Sequence, residues 1–157
     1  MRMAHVPGLR SPYDEVDGLV YFGRMLDKIR LHAVGKLPEE YTENLGEWRP
    51  QLFDARCCRF LGVSYKAIVE RTLAGGTDEE VLAWARAQGS VRPSEDVIIW
   101  NAFMRKLGWR DDRSATLRQR IAQSGFEGRG IQTFFDLIEC DEQRDPLSPQ
   151  ASTTNGV

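Results

Sequence analysis

The chain has 157 residues, the usual size of one domain, and 41% of them are hydrophobic, enough to bury a core without disulfide or metal staples. Lys and Arg total 21 against 23 Asp and Glu, a net charge of −2; with a pI near 5.7 the chain lacks the broad positive field of a phosphate-backbone binder, so no nucleic-acid partner is expected. No apolar run approaches the eighteen or so residues of a membrane span, and Met1 to Pro12 hold no apolar stretch of signal-peptide length; the expectation is a cytoplasmic protein with no membrane association.

Helical periodicity recurs along the chain, six of the segments closed by a glycine able to take the left-handed conformation past a helix end. The first segment runs from about Gly18 to Val34 and stops at Gly35. At roughly 100° per residue, Phe22, Met25, Leu26, Ile29 and Ala33 share one face, and Val20, Leu31 and Val34 form a second stripe nearly opposite, so this helix is expected to pack on two sides. Asp27 falls inside the second stripe, with Arg24 and Arg30 three residues either way and within reach of its carboxylate. His32 lies one turn after Lys28 at the edge of the first face. A desolvated carboxylate with flanking cations can orient an anionic ligand or act as a base, and imidazole is readily tuned for proton transfer near neutrality. Asp27 and His32 are therefore the candidate catalytic residues, and Arg24 and Lys28 candidate ligand contacts. The plainer alternative is an internal salt bridge that sets helix packing, plus a half-buried histidine.

Residues 36 to 49, with Pro38-Glu39-Glu40-Tyr41 and Trp48, form the longest internal connection, and its length predicts a short turn of helix or the lining of a cleft. Further helices are expected near Pro50 to Leu61, Ser64 to Ala74, Thr77 to Gln88, Ser94 to Leu107 and Asp112 to Ser124, closed by Gly62, Gly75, Gly89, Gly108 and Gly125, with a last one from about Ile131 to Glu139. Their starts agree: Pro50 suits a first helical position, Ser64 and Ser94 suit N-caps, and Thr77-Asp78-Glu79-Glu80 is a capping box. No segment shows the strict alternation of a half-buried strand; Val97-Ile98-Ile99-Trp100 is assigned to a helix by its Ser cap and Gly stop. The predicted class is all-α, a compact single-domain bundle of about six to seven short helices over residues 1–144. Residues 145–157, rich in Pro, Ser and Thr, are expected to form a disordered polar tail.

In the segment from Ser94 to Leu107, Val97, Ile98, Ile99, Trp100, Phe103, Met104 and Leu107 leave little circumference for water, which predicts a central helix. Asn101 and Arg105 sit one turn apart on its narrow polar strip, where they can grip a carboxylate or phosphate or else hold a loop in place. Trp48, Trp84, Trp100 and Trp109 are expected in the core. Cys57, Cys58 and Cys140 are odd in number and lack ligand spacing, so they read as reduced thiols; Cys58 beside Arg59 is a weak candidate nucleophile without a located base. Asp136, Glu139, Asp141, Glu142 and Asp145 lack the loop spacing and turn glycine of a calcium site and read as a solvated face. With no Gly-rich phosphate loop, HExxH or GxSxG, neither metal nor organic cofactor is expected. Phe60 to Ile68 has the local chemistry of a helix-turn-helix corner, but the helix after it carries too little positive charge to read bases.

The runs Asp27 to Pro38, Phe60-Leu61-Gly62-Val63, Trp100 to Trp109 and Ile131 to Asp136 are together similar to the bacterial family catalogued as domain of unknown function 5069. The resemblance covers about Leu9 to Arg144 and implies one compact domain; it brings no activity, cofactor or partner with it. The expected function is binding of a small polar or anionic molecule in a cleft between the first helix and the Ser94 to Leu107 helix. Arg24, Lys28 and Arg105 would supply positive charge there, and Asp27, His32 and Asn101 would orient the ligand. One alternative is a small metal-independent enzyme of isomerase, lyase or hydrolase type with His32 or Asp27 as general base. The other is a protein-interaction or assembly module with no pocket, marked by a contiguous exposed apolar patch. No sequence feature sets an oligomeric state.

Overall fold

In the computed structural model, which describes residues 5–144, the first regular structure is a hairpin. Strands β1 (Glu15–Val16) and β2 (Leu19–Val20) pair antiparallel, with Val16 opposite Leu19. Asp17 and Gly18 between them take φ of 47° and 78°, the left-handed pair whose twist matches that of the flanking strands. Tyr21, at φ 71°, then turns the chain into helix α1 (Phe22–Ala33). The expected helix from Gly18 therefore starts later, because Asp-Gly between two apolar pairs is stronger turn chemistry than the helical period that overlapped it.

The remaining elements are a 3-10 helix (Glu39–Asn44) and helices α2 (Phe53–Leu61), α3 (Tyr65–Leu73), α4 (Asp78–Gln88), α5 (Ser94–Lys106), α6 (Ser114–Ser124) and α7 (Phe134–Asp141). The described chain is thus mostly helical, the hairpin being its only sheet. No helix among the described residues is long and apolar enough to cross a membrane. The expected polar tail, residues 145–157, lies outside the described residues.

Local chemistry explains several helix ends. Ser64 Oγ accepts from Ala67 N at 3.2 Å. Thr77 and Glu80 exchange both capping-box bonds, at 3.2 and 3.1 Å, and each such cap is worth about 1 kcal/mol. Gly62 and Gly125 close α2 and α6 in the left-handed conformation. Two expectations are corrected. Pro50 precedes α2 by a turn, and α2 begins after Leu52 with no side-chain cap. Gly89 ends α4 at φ −104°; glycine is required there by close approach, since a Cβ would lie 2.0 Å from the Leu61 carbonyl oxygen.

The chain folds as two compact units, one formed by Val6–Met104 and the other by residues 105–144 with His5. In the first, α1 packs on α3 and β1, α3 also meets α2 and α4, and α4 meets β1. Leu19, Phe22, Met25, Leu26, Ile68 and Leu82 are wholly buried there. In the second, α6 packs on α7 and encloses Leu117, Phe134 and Phe135.

Helix α5 is not the central helix the sequence suggested. Trp100 and Met104 are buried, but Ile98, Ile99 and Phe103 are 66, 59 and 44% exposed. The inner face of α5 packs through Trp100, on which Phe60 stacks at 4.8 Å between ring centres. Trp48 and Trp109 are also exposed rather than core, covered in part by Arg49 and Arg110 at 4.2 and 5.0 Å from their rings.

Candidate functional site

Asp27 lies in a chain of alternating charges. Both of its carboxylate oxygens are held by Arg10, Oδ2 by Nε at 2.8 Å and Oδ1 by Nη2 at 2.9 Å, and the Arg10 amide donates to Oδ2 at 3.1 Å. Arg10 Nη2 also reaches Asp78 Oδ2 at 2.5 Å, and Arg30 Nη2 donates to Asp78 Oδ1 at 2.6 Å. Arg30 stands 3.7 Å from Asp27, while Arg24 Nη1 donates to the Arg10 carbonyl at 3.1 Å. Gly23 makes room for this, because a Cβ there would lie 2.5 Å from Arg10 Nη1.

The electrostatic consequences run both ways. Hydrogen bonding to Asp27 raises the Arg10 guanidinium above its ordinary value. Burial would raise the Asp78 carboxyl, but Arg10 and Arg30 together hold it below the usual range. The cluster ties the segment before β1 to the middle of α1 and the first turn of α4. Asp27 therefore meets its strongest partner seventeen positions away, which no helical spacing could disclose.

Lys28 belongs to a second cluster, built around a wholly buried carboxylate. Its Nζ donates to Asp54 Oδ1 at 2.7 Å, to Tyr21 Oη at 2.8 Å and to the Asn44 carbonyl at 3.2 Å. Tyr21 Oη donates to the same Asp54 oxygen at 2.6 Å, and Asp54 Oδ2 accepts from Gly46 N at 3.0 Å. Asp54 is wholly buried and Lys28 3% exposed. Burial and then the Asp54 charge push the Tyr21 hydroxyl well up, so it stays a donor. This cluster pins the connection after the 3-10 helix against α1 and α2, which is how the 36–49 segment is used.

Of the five sequence candidates in the first unit, Arg24 and Asp27 share Arg10 as a partner, while Lys28 is spent on Asp54. Asn101 clamps the hairpin, accepting from Val20 N at 3.1 Å and donating to the Gly18 carbonyl at 2.7 Å. His32 is exposed near the end of α1. Arg105 is half-buried in the last turn of α5, within the second unit. Arg10, Asp54 and Tyr21 escaped sequence reasoning because their contacts join distant segments; only the Asp17-Gly18 turn gave a local sign of how Tyr21 would be placed.

Other reactive groups are quenched. Burial raises the Cys57 and Cys58 thiols, leaving little thiolate for nucleophilic attack at Cys58. The acidic stretch of α7 is not the solvated face expected. Glu139 and Glu142 are buried, Arg144 Nη1 donates to Glu139 Oε1 at 2.7 Å, and Arg144 Nη2 donates to Glu142. Among the described residues no group of three or more His, Cys, Asp or Glu is placed to hold a metal ion.

The family model described as Domain of unknown function (DUF5069) matches residues 6–144. The chain belongs to this family. No curated protein matches it. In this DUF5069 chain the four runs that carry the resemblance coincide with structural joints: the second half of α1, the corner from α2 to α3, the second half of α5 and the start of α7. Among the described residues, the outer face of α5 is where exposed apolar side chains gather on one helix. Glu95, the pair Ile98 and Ile99, the pair Ala102 and Phe103, and Lys106 recur along it one turn apart, three or four residues from each step to the next, and all but the half-buried Ala102 are exposed.

Proposed function

We propose that this DUF5069 chain is an assembly module, working through the outer face of α5 rather than through a ligand pocket. The observation that carries the reading is the adjacency of Ile98, Ile99 and Phe103, each 44% exposed or more, on one face of one helix. Isolated surface hydrophobics are ordinary, but a contiguous row costs solubility unless something covers it. Arg56 extends the row, with its guanidinium 5.4 Å from the centre of the Phe103 ring; aromatic residues and Arg are over-represented in protein interfaces.

A small-molecule site has less support. Binding an anion needs donors that can turn to it, and the Lys28 ammonium already serves three acceptors, one of them the wholly buried Asp54. General-base catalysis needs a carboxylate lone pair facing substrate, and both Asp27 oxygens are engaged by Arg10.

A photo-crosslinking amino acid placed at position 99, and separately at the exposed position 32, tests the reading in cells. Protein adducts are expected at 99 and not at 32. An absence of adducts at 99, with equal absence at 98 and 103, would refute it.

A further inference from the structure

The outer face of α5 is complementary to itself. Its acidic end is Glu95 in the first turn, its basic end is Lys106 in the last, and the apolar row lies between them. We infer that the partner of this face is a second copy of the chain, its α5 antiparallel to the first across a two-fold axis midway between Trp100 and Asn101. The inference rests on the assembly reading above and names its partner.

The register follows from the spacing. With the axis at that point, Glu95 meets the partner subunit's Lys106, Ile98 meets the partner subunit's Phe103, and Ile99 meets the partner subunit's Ala102. A two-fold axis repeats each contact, giving two ion pairs and four apolar contacts from one helix face. Glu95 and Lys106 are about 16 Å apart along the axis at ~1.5 Å per residue, so the ion pairs close the two ends of the contact. Ile99 against Ala102 sets a large side chain against a small one at the centre, which lets the axes approach to about 8–10 Å. A parallel pairing in the same register would set Glu95 against Glu95 and Lys106 against Lys106. Like charges therefore exclude it.

One helix face covers less area than the interfaces of obligate dimers, so association is expected in the micromolar range. Sedimentation of the full chain over roughly 1–100 μM reads it directly. The wild type is expected to dimerise with rising concentration. Ile99→Glu is expected to weaken association at least a hundredfold while circular dichroism, and the melting temperature at a concentration where the wild type is monomeric, stay unchanged, because Ile99 is 59% exposed in the single chain. Glu95→Lys and Lys106→Glu are each expected to weaken it about tenfold, and the double variant Glu95→Lys/Lys106→Glu to recover most of that loss, since the reversed charges again meet across the axis.

A double variant as weak as the single ones overturns the antiparallel register. A wild type that is monomeric throughout overturns self-pairing. If a position-99 crosslinker then captures a different protein, the assembly reading stands without the dimer; if it captures none, both fall together.

Discussion

Replacing Lys28 by Met tests whether the buried Tyr21–Lys28–Asp54 cluster holds the first unit together. The methionine fits the aliphatic path of the lysine and removes only the charge and the hydrogen bonds. What remains is a carboxylate at 0% exposure with two donors, Tyr21 Oη at 2.6 Å and Gly46 N at 3.0 Å. Removing one partner of a buried ion pair costs about 3–5 kcal/mol, most of it the penalty of an uncompensated charge. Domains of this size hold about 5–15 kcal/mol in total, so the loss is a large fraction of the whole. With a urea slope of about 2 kcal/mol/M, the midpoint should fall by about 2 M. The assay is urea unfolding followed by tryptophan fluorescence, since Trp84 and Trp100 both lie in this unit. Neutralising the orphan should return part of the loss: Lys28→Met/Asp54→Asn is expected to be more stable than the sum of its single changes by at least about 1 kcal/mol. A Lys28→Met cost below about 1 kcal/mol, or strict additivity in the double variant, would refute the reasoning.

Two glycines that look alike in sequence should respond differently. Gly89→Ala places a methyl 2.0 Å from the Leu61 carbonyl oxygen, which is backbone and cannot turn aside; a cost of about 1–3 kcal/mol or more is expected in thermal melts. Gly23→Ala has the Arg10 guanidinium as its nearest neighbour, a side-chain end that can shift where backbone cannot, and the helical gain of Ala over Gly, about 1 kcal/mol, should offset part of the strained ion pairs; a cost at Gly23 equal to or above that at Gly89 would contradict this. Asp78 has its carboxyl held below the ordinary value of 3.8 by Arg10 and Arg30. Its stabilisation is thus present above about pH 4 and lost as pH falls through the lower folded value, so the gap between wild type and Asp78→Asn should narrow on acidification below pH 4. Asn101→Ala deprives Val20 N and the Gly18 carbonyl of partners; about 1–2 kcal/mol should be lost, with faster amide exchange at Val20, and unchanged exchange there would show that the clamp is dispensable.

The parts of the fold legible in sequence are those settled within one turn of chain. Ser64 and Thr77 cap their helices through bonds to the residue three positions on, so the residue types and spacing suffice. Asp17-Gly18 was equally local but overlapped a helical period, and the longer pattern masked the shorter one. The polar clusters could not be read this way. Asp27 stood out as a carboxylate on an apolar stripe, yet its main partner Arg10 precedes it by seventeen residues and Asp78 is sixty-eight from Arg10. Lys28 finds Asp54 twenty-six positions away. Periodicity says that such a residue is inward, not who waits there. The acidic run of α7 failed for the same reason, with a difference: Arg144 lies only five residues from Glu139 and two from Glu142. The cation was in view, but the burial of the carboxylates was not.

The contrast between α1 and α5 bears on how an apolar pattern is interpreted. Both helices carry apolar residues around much of their circumference, and for both the sequence implies packing on two sides. In α1 the implication is met differently than expected: Phe22, Met25, Leu26 and Ile29 fill the core, and the burial of Arg24, Asp27 and Lys28 is made tolerable by Arg10 and Asp54. In α5, Trp100 and Met104 take the inner side, and Ile98, Ile99 and Phe103 remain outside. Hydrophobic periodicity therefore reports the number of faces that seek cover, not whether the same chain supplies it. A second copy of α5 brings the cover together with the matching charge at either end, which explains why this helix combines an apolar middle with Glu95 and Lys106 on a single line.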